Sequence, residues 1–296
     1  MRKTSKSPIA ILKTAMEAAR VLPLYSHPNS PHKYTQHQLC AIIVLKELYK
    51  LDYRGVVEMF RDCTDLAKAI GLKHIPTYNS LWYAHQRLLS DIAAARVMDE
   101  TVRMGKPSGG GASVDSSGFD SSNASRYYVK RRGDEMSYKK YVKMSNVVDN
   151  DTHLILSAVI DEGPKVDQIE FRQTVGQARR RCRFNQLLGD KAYDSEANHR
   201  YIRETLRASS IIPARTPREG RRPPQTRYRR EMHDHFPKEA YGQRWQIEST
   251  YSQFKRVLGS TLSARTHQRR ARQLMLRVIT FNIMLILLRP YFPHVF

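Results

Sequence analysis

Acidic residues are scarce in this chain. Its 296 residues hold 28 Asp and Glu against 50 Lys and Arg, a formal net charge of +22. No acid follows Glu248, while Lys255, Arg256, Arg265, Arg269, Arg270, Arg272, Arg277 and Arg289 do. An excess of this size points to a polyanionic partner, first nucleic acid and second an anionic membrane surface. Cysteine is scarce too. Cys40, Cys63 and Cys182 lie far apart, which excludes a disulfide framework, and no CxxC pair suggests zinc. The pattern fits a reducing compartment, which for a basic protein means the cytoplasm or nucleoid. Long hydrophobic runs are missing. The longest, Val278 to Leu288, contains Thr280 and Asn282 and falls short of the roughly 20 residues of a spanning helix. Lys13, Glu17 and Arg20 interrupt any signal-peptide core. A membrane is therefore not expected as a partner, and Val278 to Leu288 reads as a buried C-terminal helix. No solenoid-period repeat is visible. What is present, a hydrophobic content of 41%, suffices for a packed core.

The clearest boundary is Gly105 to Gly111, which holds four of the 14 glycines and which a packed element would not tolerate. Residues 1–104 read as a helical domain, 105–111 as a linker and 112–296 as a mixed α/β domain. In the first, Thr35 caps a helix to about Lys50, and Asp52 caps the next, with Tyr53, Val56, Val57 and Phe60 on one face. A short helix stops at Gly71, and Thr77 caps another carrying Leu81, His85 and Leu88. That succession is compatible with helix-turn-helix and also with ordinary helical packing. In the second, Ala112 to Val114 is a short strand ending at Asp115. Tyr138 to Val148 and His153 to Ile160 flank the turn Asp149-Asn150-Asp151 and read as a hairpin. Pro164 and Asp167 open a helix into Arg179-Arg180-Arg181; Phe184 to Leu188 is a strand ending at Gly189-Asp190. Asp194 reads as the N-cap of a helix from Ser195, and Ser210 to Ile212 as a strand. Ala214 to Lys238, with eight basic residues and four prolines, reads as an exposed basic loop. Helices follow from about Lys238 and about His267. The order predicts a mixed sheet flanked by helices.

Three carboxylates occupy places where chemistry can converge. Asp115 and Asp190 each follow an apolar strand, the position at which open α/β sheets bind ligands. The third, Glu248, is on the helix after the basic loop. Three together can hold hard divalent cations, and two Mg²⁺ ions about 3.5–4 Å apart stabilise both the attacking and leaving oxygens of phosphoryl transfer. Surface ion pairs with the many arginines are the other reading. Asp120 could replace Asp115 but lies beyond the apolar strand. Around Glu248, Tyr241, Arg244, Glu248 and Lys255 share one narrow helical face at about 100° per residue. That face suits a site in which Glu248 binds metal and Arg244 and Lys255 contact phosphates. An exposed face with an Arg244–Glu248 pair would produce the same pattern. Trp245 is expected to pack against the sheet, with Tyr251 and Phe254 in the core. His85 and His267 have no metal-spaced partner.

The spacing Tyr-x2-Arg-x3-Glu-x6-Lys, here Tyr241, Arg244, Glu248 and Lys255, resembles the signature of one large group of DDE transposases of bacterial insertion sequences. Gly189-Asp190-Lys191-Ala192-Tyr193-Asp194-Ser195 resembles the group's second-aspartate motif, and Ser113-Val114-Asp115-Ser116-Ser117 its first. The resemblance covers about residues 34–288. It implies an α/β fold, a ribonuclease H-like catalytic domain after a small all-α helix-turn-helix-like domain. It implies two Mg²⁺ (Mn²⁺ as substitute) on Asp115, Asp190 and Glu248. The activity would be cutting of double-stranded DNA at terminal inverted repeats, then joining of the 3′-ends to target DNA, by a homodimer. Tyr241, Arg244, Lys255, Lys191, and Arg221 and Arg222 of the basic loop are the expected DNA contacts. The short stretch between Asp190 and Glu248 leaves no room for the large β-strand insertion of some relatives. A binder without catalysis would not need the three acids, and an RNA-binding protein would leave the helix stripe unexplained.

Overall fold

The computed structural model describes residues 6–121, 141–215 and 223–288. Contacts divide the chain into two units, Met1–Lys106 with Arg272–Val295, and Pro107–Ala271.

Six helices open the first unit: α1 Pro8–Ala18, α2 Gln36–Leu48, α3 Tyr53–Asp62, α4 Thr64–Ala69, α5 Tyr78–Leu88 and α6 Asp91–Gly105. Side-chain caps start α2, α3 and α5 where the sequence suggested. Thr35 forms a full capping box with Gln38, Asp52 accepts from the Gly55 amide, and Thr77 accepts from the Ser80 amide. Gly71 follows α4 at φ +66°, a left-handed position that glycine adopts without strain.

The second unit begins with β1 Gly111–Ser121, β2 Tyr141–Asp149 and β3 Ile155–Gly163. Then come α7 Asp167–Arg181, β4 Gln186–Gly189, a 3-10 turn Lys191–Tyr193 and α8 Glu196–Arg200, which runs on as a π turn to Thr205. After β5 Ser209–Ile211 stand α9 Arg227–Asp234, α10 Lys238–Tyr241, a 3-10 turn Gly242–Arg244 and α11 Trp245–Leu258. β6 Thr261–Leu262 and α12 His267–Leu288 finish the described chain. The sheet order is β3-β2-β1-β4-β5, with β6 against the end of β1. β1, β2 and β3 pair antiparallel, whereas β1, β4 and β5 pair parallel, so the sheet is mixed. α7 reaches Lys143 and Ser145 through Glu170. α11 reaches Asn146 through Tyr251 and Phe119 through Phe254. Alternate residues of a strand face opposite ways, so the two helices cover opposite faces of the sheet.

Several sequence expectations need correction. The first strand does not stop at Asp115: β1 runs on to Ser121 because Ser116, Ser117 and Gly118 stay paired to β2. The basic loop contains α9, whose Tyr228 and Met232 are buried. Contacts group Arg272 onward with the first unit rather than with residues 112–271. The glycine-rich stretch is also fixed. Gly109, at φ +73°, could not accept a Cβ, which would lie 2.5 Å from the Arg183 carbonyl oxygen. The buried Asp149 carboxylate binds the Gly109 and Ser108 amides, the Ser108 hydroxyl, and Thr152.

Among the described residues α12 alone has the length and apolar composition to cross a bilayer. Most of its apolar window is buried in the protein, and polar residues inside it have protein partners. Arg277 Nε donates to Glu47 Oε1 at 2.7 Å, both side chains under a tenth exposed. Asn282 Nδ2 donates to Thr101 Oγ1 at 3.4 Å. Both contacts lie within the first unit. Arg277→Leu leaves the Glu47 charge buried with, among the described residues, Lys46 as its ion-pair partner at 3.6 Å, and is expected to destabilise by about 3–5 kcal/mol. Glu47→Leu with Arg277→Leu should restore most of that loss. Urea titration of both variants checks it, and equal instability of single and double variants would show that the pair is not the cause.

Candidate active site

The parallel ladder of β1 and β4 ends at the pair Val114 and Gly189. The next residue on each strand is an aspartate, so register alone sets Asp115 and Asp190 side by side. Asp115 Oδ1 accepts from the Ser116 amide at 2.8 Å, and Asp190 Oδ1 from the Lys191 amide at 2.5 Å. Asp120, the alternative to Asp115, is five positions along the same strand. That odd offset turns it to the opposite face, where its exposed residue pairs with Thr261 of β6.

The third acid comes from α11. Tyr251 on that helix lies within hydrogen-bond reach of the Asp115 and Met144 carbonyls, each 3.1 Å away, and of Asn146 Oδ1. Phe254 meets Phe119 edge-on at 5.8 Å, and Thr250 Oγ1 lies 2.9 Å from His153 Nδ1. These contacts fix α11 against β1 and β2 and bring Glu248, one turn before Tyr251, toward the two aspartates. Sequence reading placed Tyr251 in the core. It is buried, and its hydroxyl also joins the helix to the strand that carries Asp115. Tyr251→Phe leaves buried acceptors unsatisfied, and a loss of about 1–3 kcal/mol is expected by urea titration. An unchanged midpoint would show that the hydroxyl contributes nothing.

Arg244 joins all three acids. Its Nη1 donates to Glu248 Oε1 at 2.5 Å, and its Nη2 lies 3.8 Å from Asp115 Oδ2 and 3.9 Å from Asp190 Oδ2. The Arg244 side chain is 17% exposed, whereas Asp190 and Glu248 are 43% and 59% exposed. Burial opposes the guanidinium charge, yet the Glu248 hydrogen bond and the surrounding groups raise its pKa above the ordinary value. Tyr241 shares this field: burial raises its pKa, Arg244 lowers it, and Asp190, Glu248 and Asp115 raise it further. The one-face stripe is interrupted, because a 3-10 turn separates Tyr241 from α11. Lys255 does not join the acids. Its Nζ donates to the Gly118 carbonyl at 3.1 Å and lies 5.0 Å above the Phe119 ring. Burial lowers its pKa. The Lys191 residue is exposed beside Asp190. Arg221 and Arg222 lie outside the described residues.

Among the described residues no group of three or more His, Cys, Asp or Glu is assembled to hold a metal ion. The Arg244 guanidinium stands between the three carboxylates instead. The donor set nevertheless suits a hard divalent cation, since three carboxylates already surround one positive group. The site is partly open to solvent on the side of Asp190 and Glu248. A cavity of about 650 Å³ lined by Arg203, Arg207, Ser210, Glu231 and His235 includes none of the three acids.

Two further expectations fail here. Trp245 does not pack on the sheet but is 58% exposed, one residue beyond Arg244. Asp194 is not an N-cap; Ser195 caps α8. Asp194 is buried and takes a bidentate pair from Arg229, at 2.9 and 2.8 Å, and a bond from the Arg215 amide at 2.9 Å. Burial alone would raise its pKa, but the neighbouring His199 ring and the bonds from Arg229 and the Arg215 amide hold it well below the usual carboxylate range. Arg215 also donates to the Lys191 and Ala192 carbonyls, so the network fastens the loop that carries Asp190.

No curated protein matches the chain by sequence. Among solved structures it is similar to a cryo-EM structure of the piggyBac transposase synaptic complex with hairpin DNA. The identity is 9%, with 94% of this chain and 71% of that chain covered and a TM-score of 0.46. Residues 106–283, more than half of the chain and all three converging carboxylates with it, match the family described as Transposase DDE domain, and the chain belongs to that family.

Proposed function

We propose that this transposase cuts double-stranded DNA at the ends of an insertion sequence and joins the 3′-ends to target DNA. The observation that carries the reading is the meeting of Asp115, Asp190 and Glu248, from β1, the end of β4 and α11, around one cation. The sheet order, three antiparallel strands continued by two parallel ones, supports a ribonuclease H-like catalytic domain. Asp115, Asp190 and Glu248 would hold Mg²⁺, or Mn²⁺ in its place, and two such ions would stabilise the attacking and leaving oxygens of phosphoryl transfer. The chain's own basic groups do the positioning. Arg244, Lys255, Lys191, Arg221 and Arg222 would neutralise and orient phosphates on either side of the scissile bond, with the Tyr241 hydroxyl as a further donor. Water, or a DNA 3′-hydroxyl in the joining step, is the nucleophile. The spacing of Tyr241, Arg244, Glu248 and Lys255 supports reading the enzyme as one of the bacterial insertion-sequence group named above. α3, α4 and α5 would read the terminal inverted repeats in a helix-turn-helix manner, and a homodimer would hold two ends together at the nucleoid.

The test supplies the full chain with pre-cut element ends, a supercoiled target plasmid and Mg²⁺. Plasmid covalently joined to the 3′-ends is the expected product. Ends left unjoined under conditions that cut DNA would reduce the reading to a nuclease.

A further inference from the structure

We propose that Arg244 is the resident counter-cation of the three carboxylates and competes with divalent ions for them. The inference rests on the metal reading above and goes beyond it. One guanidinium lies within 3.9 Å of an oxygen of each acid. It makes one hydrogen bond to them, to Glu248, and is otherwise held by charge. Its Nε is buried and, among the described residues, has no hydrogen-bond partner. A group held chiefly by charge can be displaced by a more highly charged one, which point-for-point interacts more strongly with the same carboxylates. Displacement has a route, because the Glu248 and Asp190 side chains are partly exposed. Arg244 thus keeps three neighbouring negative charges together in the resting enzyme and leaves them when metal enters. Its guanidinium is then released to meet a phosphate, which couples metal loading to DNA engagement.

Mn²⁺ alone, titrated into the DNA-free full chain and followed by the electron paramagnetic resonance of the free ion, tests this. Arg244→Gln removes the competing charge at similar volume, and Mn²⁺ affinity should rise at least about tenfold, the weight of one charge-assisted hydrogen bond. Arg244→Lys keeps the charge and should stay within about twofold of the wild type on the same reasoning. Unchanged or weaker Mn²⁺ binding by Arg244→Gln would overturn the proposal, as would equal tightening by Arg244→Lys. Asp115→Asn is the separate control. If it leaves Mn²⁺ binding intact, the metal reading itself fails; if it removes binding while Arg244→Gln does not tighten it, the competition alone fails.

Discussion

Asp115→Asn, Asp190→Asn or Glu248→Gln is expected to lower DNA cleavage by several orders of magnitude. Each change removes one charged oxygen donor from a site that has three, and phosphoryl transfer depends on the charge they concentrate. The fold should survive. Asp190 and Glu248 are substantially exposed, and exposed ion pairs contribute only about 0–1 kcal/mol each. The three variants should therefore melt close to the wild type and bind nonspecific DNA with the same steep salt dependence. Single-turnover cleavage beside thermal unfolding separates the two effects. A variant that retains most of its cleavage rate would exclude that carboxylate from the chemistry.

A large effect on stability is expected at Asp194. Asp194→Ala would strip Arg229 of its bidentate partner and leave the Arg215 amide without an acceptor. Removing one member of a buried pair costs about 3–5 kcal/mol. The same group gives stability a dependence on pH. Its pKa is lower folded than unfolded, so its stabilisation is complete above the unfolded carboxylate value of about 3.9 and disappears as pH falls through the folded value. Urea titrations across acid pH should show wild type and Asp194→Ala converging as the medium grows more acidic. A constant gap would show that the carboxylate's ionisation is not what stabilises the loop.

The parts of the fold set by local rules were legible in the sequence. Thr35, Asp52 and Thr77 begin helices because a side-chain oxygen there satisfies an amide that the helix leaves open. The order of strands and helices in the second unit also follows from local periodicity. The features that depend on distant partners were not legible. Ser116, Ser117 and Gly118 have little intrinsic strand preference, and they remain extended because β2 pairs with them. α9 forms inside a stretch rich in arginine and proline, anchored by Glu196 to the Tyr228 and Arg229 amides. Asp194 looks like a cap by position, and only the fold brings Arg229 to it. α12 is apolar enough to be seen as buried, but its Arg277 finds Glu47 only in the three-dimensional structure. One consequence is practical: a fragment of residues 1–104 would lack the α12 segment that pairs with Glu47 and Thr101, so repeat recognition should be measured on the full chain. At the candidate site, the spacing of Arg244 and Glu248 foretold their ion pair. Periodicity along one helix could not foretell that the same guanidinium also faces Asp115 and Asp190.

Asp115, Asp190 and Glu248 are proposed to form a metal-dependent centre that cuts DNA. The most direct test incubates the full chain with a labelled duplex spanning one end of its element, with Mg²⁺ or with chelator, and maps the breaks on a sequencing gel. Breaks confined to the element's end, present with Mg²⁺ and abolished by chelator and by Glu248→Gln, are the predicted result. An intact duplex with Mg²⁺, or cleavage that persists in Glu248→Gln, would contradict it.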